Sequence, residues 1–88
     1  MARRVTVTGL VQGVFFRAWT REQAERLGVA GWVCNCADGS VEAQVEGGQE
    51  AVEEMIAAMQ QGPPGARVDA LESQAVAPTG AHSFEVTH

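Results

Sequence analysis

The run Val29-Ala30-Gly31-Trp32-Val33-Cys34-Asn35-Cys36-Ala37-Asp38-Gly39-Ser40-Val41-Glu42-Ala43-Gln44-Val45-Glu46 decides how the chain folds. Its first half is an extended apolar segment over 29–36. Asp38-Gly39 is a hairpin signal, because glycine supplies the positive φ that tight turns need. Val41, Ala43 and Val45 then alternate with Glu42, Gln44 and Glu46, which predicts a returning strand with one wet face. The centre of the molecule is therefore a β-hairpin.

The same pattern of strand and helix flanks the hairpin on both sides. Upstream, Val5 and Val7 alternate with Thr6 and Thr8, predicting a strand over 4–10. The glycine-bearing turn 9–14 leads into a helix whose stripe is Phe16, Trp19, Gln23, Ala24 and Leu27, with Gly28 closing it. Glu22 and Arg26 have the spacing of a favourable helical pair. Downstream, a second helix starts near Gly48. Glu50, Glu53 and Glu54 sit in its first turns, where the helix dipole favours negative charge. Its apolar stripe is Val52, Met55, Ile56 and Met59, and Gly62-Pro63-Pro64-Gly65 ends it. A strand follows over 67–76, then a loop over 77–81, and a last short strand over 83–87. The order strand, helix, strand, strand, helix, strand is the ferredoxin-like split β-α-β, an α+β sandwich. In it an antiparallel sheet carries both helices on one face, and the hairpin's return strand slots between two parallel strands. The sequence leaves open how the last strand joins the sheet. The fold serves many functions, so the site must be argued separately.

Composition narrows the choices. The 88 residues are expected to form one domain spanning 1–88. The net charge of −5 makes the chain a poor partner for nucleic acid or for anionic membranes. All six basic residues are arginines, so a Walker-type phosphate loop and lysine Schiff-base chemistry are excluded. Met1 to Thr6 lacks the apolar run of a secretory signal, and Leu27 to Cys34 is too short to span a bilayer. The expectation is a cytoplasmic protein, most simply a monomer. Cys34 and Cys36 share a face of an extended segment and are expected as reduced thiols with packing roles.

Two places can carry chemistry. In Gly9-Leu10-Val11-Gln12-Gly13-Val14-Phe15-Phe16-Arg17 a strand passes through a glycine loop into a helix N-terminus. Backbone N–H groups there lack intrahelical partners and can converge on an anion, and Gly13 lets the backbone approach closely. Arg17, in the first helical turn, can hold two phosphate oxygens with its planar fork. Taken alone, this is also what an ordinary strand-to-helix connection with a surface arginine looks like. The second place is Asn35, at the end of the second extended segment. The topology puts it at the same end of the sheet as the loop. Its amide can donate to and accept from a water. It can equally be a turn residue bonded to its own backbone.

Together, Gly9-Leu10-Val11-Gln12-Gly13-Val14-Phe15-Phe16-Arg17 and Gly31-Trp32-Val33-Cys34-Asn35-Cys36-Ala37-Asp38-Gly39-Ser40-Val41-Glu42 resemble the acylphosphatase family, and the resemblance runs on to Phe84-Glu85-Val86. It implies hydrolysis of acyl phosphates without metal or other cofactor. By that resemblance Arg17 binds the phosphate and Asn35 holds the attacking water. Gln12, Gly13, Val14, Phe15, Phe16 and Arg17 would form the phosphate cradle. Cys34 departs from the pattern, in which a basic residue often precedes the asparagine. The chemistry agrees: an acyl phosphate has a carboxylate leaving group, so a clamp and an oriented water suffice, with no general acid.

Rival sites are weak. His82 and His88 fall in a loop and at the last residue. Neither cysteine is followed at the right spacing by an arginine, so a cysteine-dependent phosphatase loop is absent. The alternatives are a non-hydrolytic binding module like the acylphosphatase-like domain of hydrogenase-maturation proteins, and an RNA-binding ferredoxin-like module. Against the first stands the expectation of one domain only. Against the second stand the few strand aromatics and the acidic charge.

Overall fold

The computed structural model describes residues 1–87, so the reading of His88 lies outside the described residues. Strand β1 (Ala2–Leu10) leads to helix α1 (Phe16–Leu27). The hairpin β2 (Ala30–Asn35) and β3 (Val41–Glu46) precedes α2 (Gln49–Gln61), β4 (Arg67–Ala75) and the short β5 (Phe84–Val86). The sheet order is β4-β1-β3-β2-β5. β3 lies antiparallel between β1 and β2, with Val5 opposite Ala43 and Val33 opposite Ala43 from the other side. β1 and β2 therefore run the same way and end at the same edge of the molecule. β4 adds antiparallel to β1. β5 adds parallel to β2, pairing Gly31 with Phe84 and Val33 with Val86, so the expected antiparallel sheet is in fact mixed at one edge.

Both helices present an apolar stripe to the sheet. α1 buries Phe16, Thr20 and Ala24, one turn apart, and α2 buries Val52, Met55 and Met59. These meet Val5, Val7, Val33, Val41 and Val45 in a single core. Such burial contributes on the order of 1.5–3 kcal/mol per large side chain. Thr20 sits in this core because its hydroxyl donates to the Phe16 carbonyl at 2.8 Å, which removes the penalty of a buried polar group. α1 ends at Gly28, and the N–H of Val29 returns to the Ala24 carbonyl at 2.9 Å. The expected Glu22–Arg26 pair is not formed. Arg26 folds back onto Gln23, and the ion pair on this helix is Arg21–Glu25 at 3.4 Å. Exposed helical pairs differ by only a few tenths of a kcal/mol, so sequence spacing does not select among them.

The face of β3 expected to be wet is largely covered. Gln44 and Glu46 are only 3% and 6% exposed. Arg4 lies over the Trp32 ring at 5.0 Å and donates to Gln44 Oε1 at 2.8 Å. Gln44 Nε2 donates to Glu46. The loop before β5 crosses this face, and Thr79 donates its N–H and its hydroxyl to the Glu46 carboxylate at 2.9 and 2.6 Å. These bonds, the Thr79 hydroxyl foremost, hold the Glu46 carboxyl below its usual range.

Candidate active site

The loop from β1 into α1 is shaped by two left-handed residues. Gly13 has φ 76°, and Phe15, the N-cap of α1, has φ 59° and ψ 26°. Alternation of backbone hand turns successive N–H groups toward one concavity. No side chain caps the helix. Among the described residues, none of the backbone N–H groups from Gln12 to Ala18 finds a protein acceptor, and the first loop-to-helix bond is Trp19 N–H to the Phe15 carbonyl at 3.0 Å. These donors lie at the positive end of the helix dipole. Phe16, 1% exposed and edge-on to Trp19 at 5.5 Å, anchors the loop to the core.

Arg17 follows in the first turn of α1 and is half-buried. Among the described residues it forms no ion pair; the three that occur involve Arg4, Arg21 and Arg67. The first turn of α1 also holds no acidic residue. In a chain of charge −5 this is a local concentration of uncompensated positive potential.

Asn35 ends β2 and faces the same concavity. A cavity of about 320 Å³ is lined by Gly13, Phe15, Phe16, Arg17 and Asn35, with Val11, Ala18 and Val86. The size suits a small molecule. The Asn35 side-chain oxygen is buried and has no hydrogen-bond donor among the described residues. An unsatisfied buried carbonyl costs about 1–3 kcal/mol, so this oxygen favours any donor that reaches it.

Gln12 explains how the two halves stay in register. Its Nε2 donates to the carbonyls of Cys36 and Ser40 at 2.8 and 2.9 Å. Both carbonyls belong to the β2–β3 turn, which is closed by Cys36 N–H to Ser40 O at 2.8 Å and by Ser40 N–H and hydroxyl to Asp38. One side chain therefore ties the loop to the turn immediately beyond Asn35. The Ser40 bonds also hold the Asp38 carboxyl below its ordinary range.

Of the residues singled out in the sequence, Gly13, Phe15, Phe16, Arg17 and Asn35 border one cavity. The Gln12 side chain points instead to the turn, and Val14 packs against the core. Val86 went unnoticed in the sequence, because it reaches the cavity only through the pairing of β5 with β2. The two thiols beside Asn35 are free. Burial, aided by Cys36 and Glu42, pushes the Cys34 thiol up, which disfavours the nucleophilic thiolate. His82 is exposed and away from the cavity lining. Among the described residues no three His, Cys, Asp or Glu side chains group closely enough to hold a metal ion. No helix of the described chain is long and apolar enough to cross a membrane.

Sheet, loop and cavity define an α+β protein of the ferredoxin-like class that presents a helix N-terminus and one arginine to a hollow sized for a small molecule. Residues 3–86 match the acylphosphatase family model. The chain is 51% identical over 83 residues to an acylphosphatase of Synechococcus sp. (strain RCC307), covering 94% of this chain and 71% of that one. It is 56% identical over 84 residues to an acylphosphatase of Rubrobacter xylanophilus, covering 94% and 76%. It is similar to the crystal structure of acylphosphatase from Bacillus subtilis, with a TM-score of 0.95, 33% identity, and 99% and 98% of the two chains covered. The chain belongs to the acylphosphatase family, hydrolases of acyl phosphates.

Proposed function

We propose that this chain hydrolyses acyl phosphates at the loop–Arg17–Asn35 cavity, by direct attack of water on phosphorus. The observation that carries the reading is the pairing across one cavity of an arginine and a buried amide oxygen that have, among the described residues, no counter-ion and no donor respectively. The phosphoryl group rests on the amides between Gln12 and Ala18 and on the Arg17 guanidinium. In phosphoryl transfer the transition-state charge spreads over the equatorial oxygens, where fixed N–H donors and a guanidinium act with no reorganisation at the moment of reaction. Asn35 accepts a hydrogen bond from the attacking water and so fixes its direction.

The balance is RCO–OPO₃²⁻ + H₂O → RCOO⁻ + H₂PO₄⁻. The water oxygen bonds to phosphorus, the bond from phosphorus to the carboxyl oxygen breaks, and both water protons end on phosphate. A carboxylate leaves readily at neutral pH, given carboxyl pKa values of about 4. No side chain needs to act as general acid, and none with a suitable titration lines the cavity. The substrate is a small molecule. The chain acts as one domain over residues 1–88 and as a cytoplasmic monomer, needing neither metal nor other cofactor. The test is phosphate release from benzoyl phosphate in the presence of excess chelator. Turnover that survives chelation supports this reading. Turnover that disappears and returns with Mg²⁺ or Zn²⁺ refutes it, and binding without turnover makes the chain a binding module instead.

A further inference from the structure

Phe15 is the most exposed large apolar residue of the described chain, at 85%, against 51% for Leu10 and 47% for Met1. It is also the one non-glycine residue with positive φ among the described residues. That conformation suits glycine or asparagine and is unfavourable for a bulky side chain by on the order of 1–2 kcal/mol. A phenylalanine here serves no packing purpose. It belongs neither to the buried core nor to the partly buried residues packed against it. Backbone geometry argues against a large side chain at this position, and the core has no use for this ring. What remains is its place on the cavity wall.

The wall has two chemical halves. Arg17, Asn35 and the loop amides are polar and suit the phosphoryl group. Phe15, Val11, Ala18 and Val86 are apolar, and Arg17 is the one charged side chain among the lining residues. Once the phosphoryl group is seated, the rest of the substrate must lie against the apolar half, where the solvent-facing part is the Phe15 ring. We propose that Phe15 is a specificity-determining residue that serves as a platform for the acyl group and selects apolar, above all aromatic, acyl phosphates. The proposal rests on the function proposed above. Two rings in contact gain a modest, geometry-dependent attraction beyond the area they bury, whereas a methyl group covers too little of the ring to gain the same. With Arg17 engaged by the phosphoryl group, a charged acyl group would lose hydration there without a second charged partner among the lining residues.

The experiment compares kcat/KM for benzoyl phosphate and acetyl phosphate in the wild type, Phe15→Ala and Phe15→Tyr. Inhibition constants of phenylphosphonate and methylphosphonate are measured alongside as a readout independent of turnover. In Phe15→Ala the benzoyl-to-acetyl ratio falls roughly two- to tenfold, mainly through KM for the aromatic substrate, and the phosphonate ratio falls in parallel. Phe15→Tyr, which keeps the ring, keeps both ratios. A purely structural role for Phe15 changes both substrates together and leaves the ratios alone, and that result overturns the proposal. Release of phosphate from neither substrate by the wild type overturns the proposed function and this inference with it. Normal turnover with unmoved ratios overturns this inference only.

Discussion

Replacing Arg17 with glutamine separates the cost of holding an uncompensated charge from its use. Glutamine keeps much of the aliphatic stem and removes the charge. The change breaks no ion pair among the described residues. It also takes a cation from the first turn of α1, where the dipole disfavours it by about 0.3–1 kcal/mol. Without ligand the variant should therefore match the wild type or exceed it by up to about 1 kcal/mol. With phosphate the order should reverse. Losing a principal electrostatic donor costs about 3 kcal/mol, or roughly two orders of magnitude in phosphate affinity and kcat/KM. Phosphate at one hundred times the wild-type Kd stabilises the wild type by about 2.7 kcal/mol, but a protein whose Kd equals that concentration by only about 0.4 kcal/mol. For a domain of this size the wild type should gain on the order of 10 °C in Tm and the variant only a few degrees. Thermal unfolding of both proteins with and without phosphate, beside steady-state kinetics, tests this. A variant that keeps the full phosphate shift, or that is destabilised by more than about 1 kcal/mol without phosphate, refutes the assignment of Arg17 as a free phosphate ligand.

Asn35→Ala removes the orphan oxygen, so stability should hold or rise by about 1 kcal/mol while kcat falls about a hundredfold. Phosphate, as a competitive inhibitor, should keep nearly its original inhibition constant, and near-normal kcat would return Asn35 to a turn role. Gln12→Ala loses two hydrogen bonds between loop and turn, about 1 kcal/mol each, measurable by urea unfolding. Activity should fall too, because the amide loop is no longer held in register with Asn35; unchanged kcat/KM would count against that. Glu46 has a folded-state pKa below its unfolded one, so its carboxylate contributes stability above the unfolded value near 4.3 and loses it as pH falls through the folded pKa. The stability gap between wild type and Glu46→Gln should be full above about pH 5 and close in acid; a gap independent of pH would contradict this.

Sequence alone determined what depends on neighbours a few residues apart. The alternation of 41–46 marks a strand, the Phe16, Ala24 and Leu27 stripe marks a helix, and Asp38-Gly39 marks the turn between β2 and β3. Each rests on backbone periodicity or on one residue's allowed φ, and both are local. The order of elements then placed the ends of β1 and β2 together, so Arg17 and Asn35 could be read as neighbours. The tertiary structure decided everything that depends on contacts between distant parts of the chain. β5 pairs with β2 in parallel, Gly31 beside Phe84, and only that pairing brings Val86 to the cavity. Glu46 looked like a solvated strand residue until Thr79, far along the chain, covered it. The side chain of Gln12, a residue of the expected phosphate loop, clasps the turn beyond Asn35, a contact 24 and 28 residues apart in sequence. The left-handed backbone of Phe15 was equally illegible, because nothing local favours that conformation for phenylalanine. It arises where Val11, buried just beyond β1, and Phe16, buried at the start of α1, fix both ends of a short loop, leaving the residue between them to absorb the geometry.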